Sequence, residues 1–247
     1  MGEEYEKWLA QTLEKEAQSD YIEPSVQELV SMMDAVPTPI IEGNDEWVQI
    51  NDRQVLPLSL ADYWDAFFAN DAPYYVHAIL RDPSDIFIEE RLWSEPQTNK
   101  TWENQTVIQE RYIHRRLRVY QALAPKHCSY YIELSLLVKN ETHIRIQEKH
   151  WGDECPYSDR AYTNVLWDIL TPDPRSNQII HRNIYQIYWR KKPIVWKLLL
   201  RIAEEGLRDF SEQLPSFFME NSVNFINGPP YEDATYLNNT VQWTLGR

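Results

Sequence analysis

Residues Pro193 to Leu214, PIVWKLLLRIAEEGLRDFSEQL, read as one long amphipathic helix laid across an apolar surface. Pro193 suits a first helical turn, where its missing N–H costs nothing. Val195, Leu198, Leu199, Ile202, Gly206 and Phe210 recur at three- and four-residue spacing and share a face. Lys197, Arg201, Glu204, Glu205, Arg208 and Asp209 cover the other side, and Pro215 is expected to stop the helix. A helix of this kind needs a partner surface, and the residues before it supply a sheet.

Six strand-like segments come first. They are Asp85–Trp93, Thr106–Leu117, Ser129–Lys139, Thr142–Trp151, Ala161–Leu170 and Gln178–Trp189. Asn140-Glu141 reads as a two-residue turn joining the third and fourth into a hairpin. Short connections between sequential strands favour an antiparallel sheet. The expected fold class is therefore α+β: a curved antiparallel sheet of five or six strands against a long C-terminal helix.

Residues 1–55 are expected to be an acidic helical arm and linker, with helices at Glu3–Ala17 and Ser25–Met33. In the second, Ser25 and Glu28 form a capping box before Val26, Leu29, Val30 and Met33. A short helix, Ser59–Phe68, opens the main domain at 56–214, with Leu60, Tyr63, Trp64, Phe67 and Phe68 on its apolar face. Residues 215–247, with Phe217, Phe218, Phe225, Tyr231, Tyr236 and Trp243, read as an aromatic tail built to lie on a surface.

Charge narrows the partners. Residues 1–46 hold twelve acidic side chains and two lysines, a balance of −10 out of −14 for the whole chain. No face resembles one that neutralises phosphates, so nucleic acid is excluded. Six glycines leave little room for a Gly-rich phosphate loop. No run of about 18 apolar residues predicts a membrane span. The N-terminus MGEEYEKW reads neither as a secretory signal nor as a transit peptide, and a cytoplasmic protein is expected. In that setting the sequons at Asn104, Asn140 and Asn238 are expected to stay unmodified.

Several stretches taken together resemble the VASt domain, a member of the START-like, helix-grip superfamily. LPLSLADYWDAFFAND is similar to that family's opening helix, and EERLW to its first long strand. HWGDECPYSDRAYTNVLWDIL resembles its P-Y-x-D-x-[FY] stretch and following strand, with Pro156, Tyr157, Asp159 and Tyr162 at matching positions. IYQIYWRKKPIVWKLLLRIAEEG looks like its last strand and closing helix. The resemblance implies a sheet gripping the C-terminal helix around a cavity for a sterol or another lipid. Family members often carry a GRAM domain, for which residues 1–55 are too short.

Candidate cavity residues are Leu134, Leu136, Val138, Ile144, Ile146, Tyr162, Leu166, Ile184 and Tyr188 on the strands. On the helix they are Leu199, Ile202, Ala203, Gly206 and Phe210. All could equally be ordinary core. A glycine inside a helix costs about 1 kcal/mol relative to alanine, so Gly206 invites a close approach by ligand or strand. Tyr162 and Tyr188 could offer a hydroxyl to a sterol 3-OH. Two basic clusters, Arg115/Arg116/Arg118 and Arg190/Lys191/Lys192, suit lipid headgroups, an acidic protein or plain solvent. Glu148 and His150 fall on one side of a strand, but no set of metal ligands or catalytic groups can be completed around them, and no cofactor is expected.

Two functions fit: a non-catalytic lipid-binding or lipid-transport protein, and a structural subunit of a larger assembly docked through 1–46 and 216–247. An enzyme like the aromatase/cyclase branch of START-like folds is a distant third.

Overall fold

The computed structural model describes residues 21–38, 48–49, 53–79, 84–118, 126–154 and 158–227; at 48–49, 78–79, 198–199, 202–207 and 209–211 it describes only the backbone. Helix α1 spans Val26–Ala35, α2 Leu60–Phe67, α3 Val76–Ile79 and α4 Trp196–Asn227. Strands β1 (Val48–Gln49), β2 (Gln54–Leu56), β3 (Ile86–Ser94), β6 (Gln109–Arg118), β7 (His127–Lys139), β8 (His143–Asp153), β9 (Ala161–Leu170) and β10 (Ile179–Trp189) build one sheet. Its order is β1-β10-β9-β8-β7-β6-β3, with β2 also on β10, and every pairing is antiparallel. The fold is thus a large antiparallel sheet with few helices and a long C-terminal one.

Local chemistry sets the helix starts. The Ser25 hydroxyl oxygen accepts a hydrogen bond from the Glu28 amide, while the Glu28 carboxylate accepts one from the Ser25 amide. Ser59 likewise accepts from the Asp62 amide at the start of α2. The expected helix at Glu3–Ala17 lies outside the described residues. Two strands were not foreseen: β1 and β2, in the expected linker, both pair with the outer edge of β10.

The expected stop at Pro215 is corrected. Helix α4 runs through that proline to Asn227, so 215–227 is helix and not tail. A proline inside a helix costs about 3 kcal/mol. Burial of Leu214, Phe217, Phe218 and Ser222 on the turns around it offsets that cost. The Gln54 side-chain amide also donates to the Pro215 carbonyl at 2.7 Å.

One sheet face, here called the core face, carries Ile113, Ile132, Leu134, Leu136, Ile144, Ile146, Val165, Trp167, Ile169, Ile179, Tyr185 and Ile187. Helix α2 and the later turns of α4 pack on it. Phe218 sits among Tyr63, Phe67, Trp167, His181 and Phe217, with ring centroids 4.8–6.0 Å apart. The opposite face is covered over β9 and β10 by α1, whose Leu29 and Met33 meet Leu170 and Ile180. Burial on both sides makes most of β10 continuously buried.

The β7–β8 turn closes between Asn140 and His143, one residue later than expected. The Asn140 amide bonds the His143 carbonyl, and its side-chain oxygen accepts from the Thr142 and His143 amides. A second hairpin, unforeseen, joins β4 (Thr101–Trp102) to β5 (Gln105–Thr106). Its turn residues Glu103 and Asn104 both have positive φ, 47° and 63°. That conformation favours Asn-Gly. Glu103→Asn with Asn104→Gly is therefore expected to stabilise the protein by about 0.5 kcal/mol. A small rise in the urea midpoint at unchanged slope would show it.

Candidate functional site

The core face is mostly apolar; besides the buried Arg111, His181 and Asn183 it carries one connected chain of polar groups. Glu148 and His150 stand two residues apart on β8, so both point inward. Across the ladder Glu148 lies opposite Leu134 and Val165, and His150 opposite Ile132. Both are deeply placed, with Glu148 only 1% exposed. Tyr130, two residues before Ile132, brings its hydroxyl to 2.9 Å from His150 Nδ1. His77 on α3 reaches Glu148 Oε1 through Nε2 at 2.8 Å, and His150 Nε2 reaches Oε2 at 2.8 Å.

The protons in this chain follow from its partners. Burial would push the Glu148 carboxyl up. The charge and hydrogen bond from His77 and the hydrogen bond from His150 outweigh burial and hold it well below the usual carboxylate range. An ionised carboxylate only accepts, so each imidazole donates Nε2–H to it. Burial lowers the His150 pKa against the pull of Glu148, and the ring stays neutral at neutral pH. Its Nδ1 must then accept from the Tyr130 O–H, which burial pushes up to about 12 and keeps protonated.

Two more hydroxyls belong to this neighbourhood. Tyr63 and Tyr75 are 0% and 6% exposed, and neither hydroxyl has a hydrogen-bond partner among the described residues. Burial raises both pKa values, and the Glu148 charge adds to the rise, which places both rings within its field. Arg111 fixes the Tyr75 ring by lying over it at 3.6 Å. The same guanidinium donates to the Phe68 and Ala69 carbonyls and to Glu90. Both hydroxyls are thus buried and protonated, with no hydrogen-bond partner among the described residues.

The expected cavity residues divide between the faces. Leu134, Leu136, Ile144 and Ile146 share the core face with Glu148. The position of Val138 differs from the expectation: a bulge between Leu136 and Val138 puts it opposite Arg145, on the other face. Tyr162, Leu166, Ile184 and Tyr188 alternate with the core-face residues of β9 and β10 and so also face away. Tyr162 and Tyr188 pair with each other there at 4.8 Å, near Lys149 and Arg190. Leu199, Ile202, Ala203, Gly206 and Phe210 lie on α4, but their side chains are outside the described residues.

His77, Tyr63, Tyr75 and Tyr130 escaped the sequence reading as site residues. The i, i+2 spacing of Glu148 and His150 was the only local signal. His77 is 71 residues from its carboxylate. Among the described residues no group of three or more His, Cys, Asp or Glu side chains is placed to hold a metal ion. Cys128 is buried and disulfide-bonded, so it offers no thiol, and Cys155 lies outside the described residues. The first basic cluster is divided by strand alternation. Arg115 lies 3.7 Å from Asp85, while Arg116 meets Glu154 on the other side.

No family model matches the chain, and no curated protein matches it. Among solved structures, a conserved protein from Geobacillus kaustophilus is similar over 70% of this chain and 92% of its own, at 10% identity and a TM-score of 0.36.

Proposed function

We propose that the protein is a START-like, helix-grip carrier that binds a hydrophobic ligand between the core face and α4. The ligand is a sterol or another lipid with one hydrogen-bond-accepting end. The observation that supports this reading is the pair of buried hydroxyls of Tyr63 and Tyr75, which no described residue pairs and whose pKa values burial and, less strongly, the Glu148 charge raise. Leaving a buried donor unmade costs about 1–3 kcal/mol each. A ligand oxygen would recover that, and its apolar body would gain roughly 25 cal/mol per Å² buried. An apolar site with a few convergent polar groups is the usual form of such pockets.

The test is native mass spectrometry of protein purified from its own source, with extraction and identification of bound lipid. Tyr63→Phe and Tyr75→Phe should each lower occupancy about three- to tenfold, the worth of one hydrogen bond. Neither should destabilise the ligand-free protein, because each removes an unsatisfied group. Protein that carries no lipid, with both variants simply more stable, would leave the hydroxyls without a ligand and end this reading.

A second reading is an accessory subunit of an assembly. It is supported by Ile86, Ile88 and Leu92, each 49% exposed on β3, and by the fully exposed Ile194 before α4. As to location, no helix among the described residues is long and apolar enough to cross a membrane. The Cys128 disulfide fits an oxidising compartment better than the reducing cytosol.

A further inference from the structure

β3 ends the strand order, and among the described residues no strand pairs with its outer edge. Soluble proteins shield such edges with charged side chains (lysine above all), proline, bulges, short length or a covering loop, because an open row of amides and carbonyls recruits other strands. β3 is nine residues long, IFIEERLWS; it contains neither lysine nor proline, and its charges are confined to Glu89, Glu90 and Arg91 at its centre. Ile86, Phe87, Ile88 and Leu92 are 41–49% exposed along it.

The irregularities of β3 are placed evenly about Glu90. Phe87 and Glu89 pair with Arg115 and His114, so Ile88 is an extra residue pushed out of the ladder. Arg91 and Ser94 pair with Tyr112 and Glu110, so Leu92 and Trp93 stand opposite Arg111 alone. Trp93 turns into the core and Leu92 is left exposed. Bulges commonly protect an edge by twisting it away. Here each instead presents an apolar side chain two residues from the same centre.

We propose that β3 pairs antiparallel with β3 of a second copy of this chain, about a twofold axis at Glu90. In that register Ile88 of one copy faces Leu92 of the other, and Glu89 faces Arg91, each contact occurring twice. Glu90 meets its own copy, but the Arg111 guanidinium already neutralises it in each chain. A C2 interface requires such self-complementarity, with residue i meeting j and j meeting i. The pairing joins two eight-stranded sheets and leaves the Glu148 cluster of both copies untouched.

The test is sedimentation velocity of the full chain over a range of micromolar concentrations. A dimer is expected, and Ile88→Lys with Leu92→Lys should make it monomeric at an unchanged circular dichroism spectrum. Arg91→Glu should weaken the dimer about tenfold by setting like charges opposite each other. Combining it with Glu89→Arg should restore the dimer, which nonspecific association would not do. A wild-type monomer throughout that range would overturn the proposal. So would a dimer unmoved by the lysine pair, or β3 occupied only by a different co-purifying protein.

Discussion

Replacing Asp168 with alanine is expected to cost about 3–5 kcal/mol, the usual result of removing one partner from a buried ion cluster. Asp168 is fully buried on β9 under α1. Arg145 donates to Oδ1 at 2.7 Å, His143 approaches the same oxygen at 3.1 Å, and Arg182 donates to Oδ2 at 2.8 Å. Both guanidiniums are almost wholly buried, at 5% and 6% exposure. Without the carboxylate they would remain as uncompensated cations beneath a helix. Replacing the three together (Arg145→Met, Asp168→Leu, Arg182→Met) should cost less than Asp168→Ala alone, since no charge is then stranded. Urea unfolding of the two variants decides this.

The cluster also docks α1, which has no basic residue in its last turn. Arg182 donates to the Met33 and Val36 carbonyls, and Arg145 to that of Pro37. The sheet thus supplies the cations that a helix C-terminus favours. A pH signature follows. Burial would raise the Asp168 pKa, but hydrogen bonds from His143, Arg145 and Arg182 outweigh it and lower the group to about 2. A lowered folded-state pKa means stability present above the unfolded value, near 4, and lost as pH falls towards 2. The loss is about 2 kcal/mol across that window. Wild type should therefore weaken between pH 4 and 2 more steeply than the triple replacement does.

How much of this was legible depended on how local the signal was. Ser25 and Ser59 announced their helices because a cap needs only three residues. The bounds of β9 were readable at both ends, since turn residues flank it. The face assignment of Tyr162, Leu166, Ile184 and Tyr188 was not readable, because α1 buries the second face of β9 and β10 and hides the alternation. Val138 went astray at a bulge, where one extra residue reverses every later side chain. The Glu148 cluster was half legible. Strand spacing gave His150, but His77 and the tyrosines reach the site only through tertiary structure. The break assumed at Pro215 shows propensity losing to packing.

Phe218→Ala is the matching prediction for that last point, with an expected loss of about 3–5 kcal/mol. The ring is 0% exposed and touches five other rings drawn from α2, β9, β10 and α4 itself. Each such aromatic pair adds about 0.5–1.5 kcal/mol beyond its buried area. The rings come from separate elements, so the resulting cavity cannot close by moving one of them. Met219, next in sequence and 39% exposed, is the control, and Met219→Ala should stay within about 0.5 kcal/mol of wild type. Two truncations then test where the domain ends. A chain stopped after Asn227 keeps Phe217, Phe218 and Ser222, while one stopped after Leu214 discards all three. The difference in unfolding free energy between the two should be at least that of Phe218→Ala. Equal stability would return the boundary to Pro215 and make the later turns of α4 dispensable to the core.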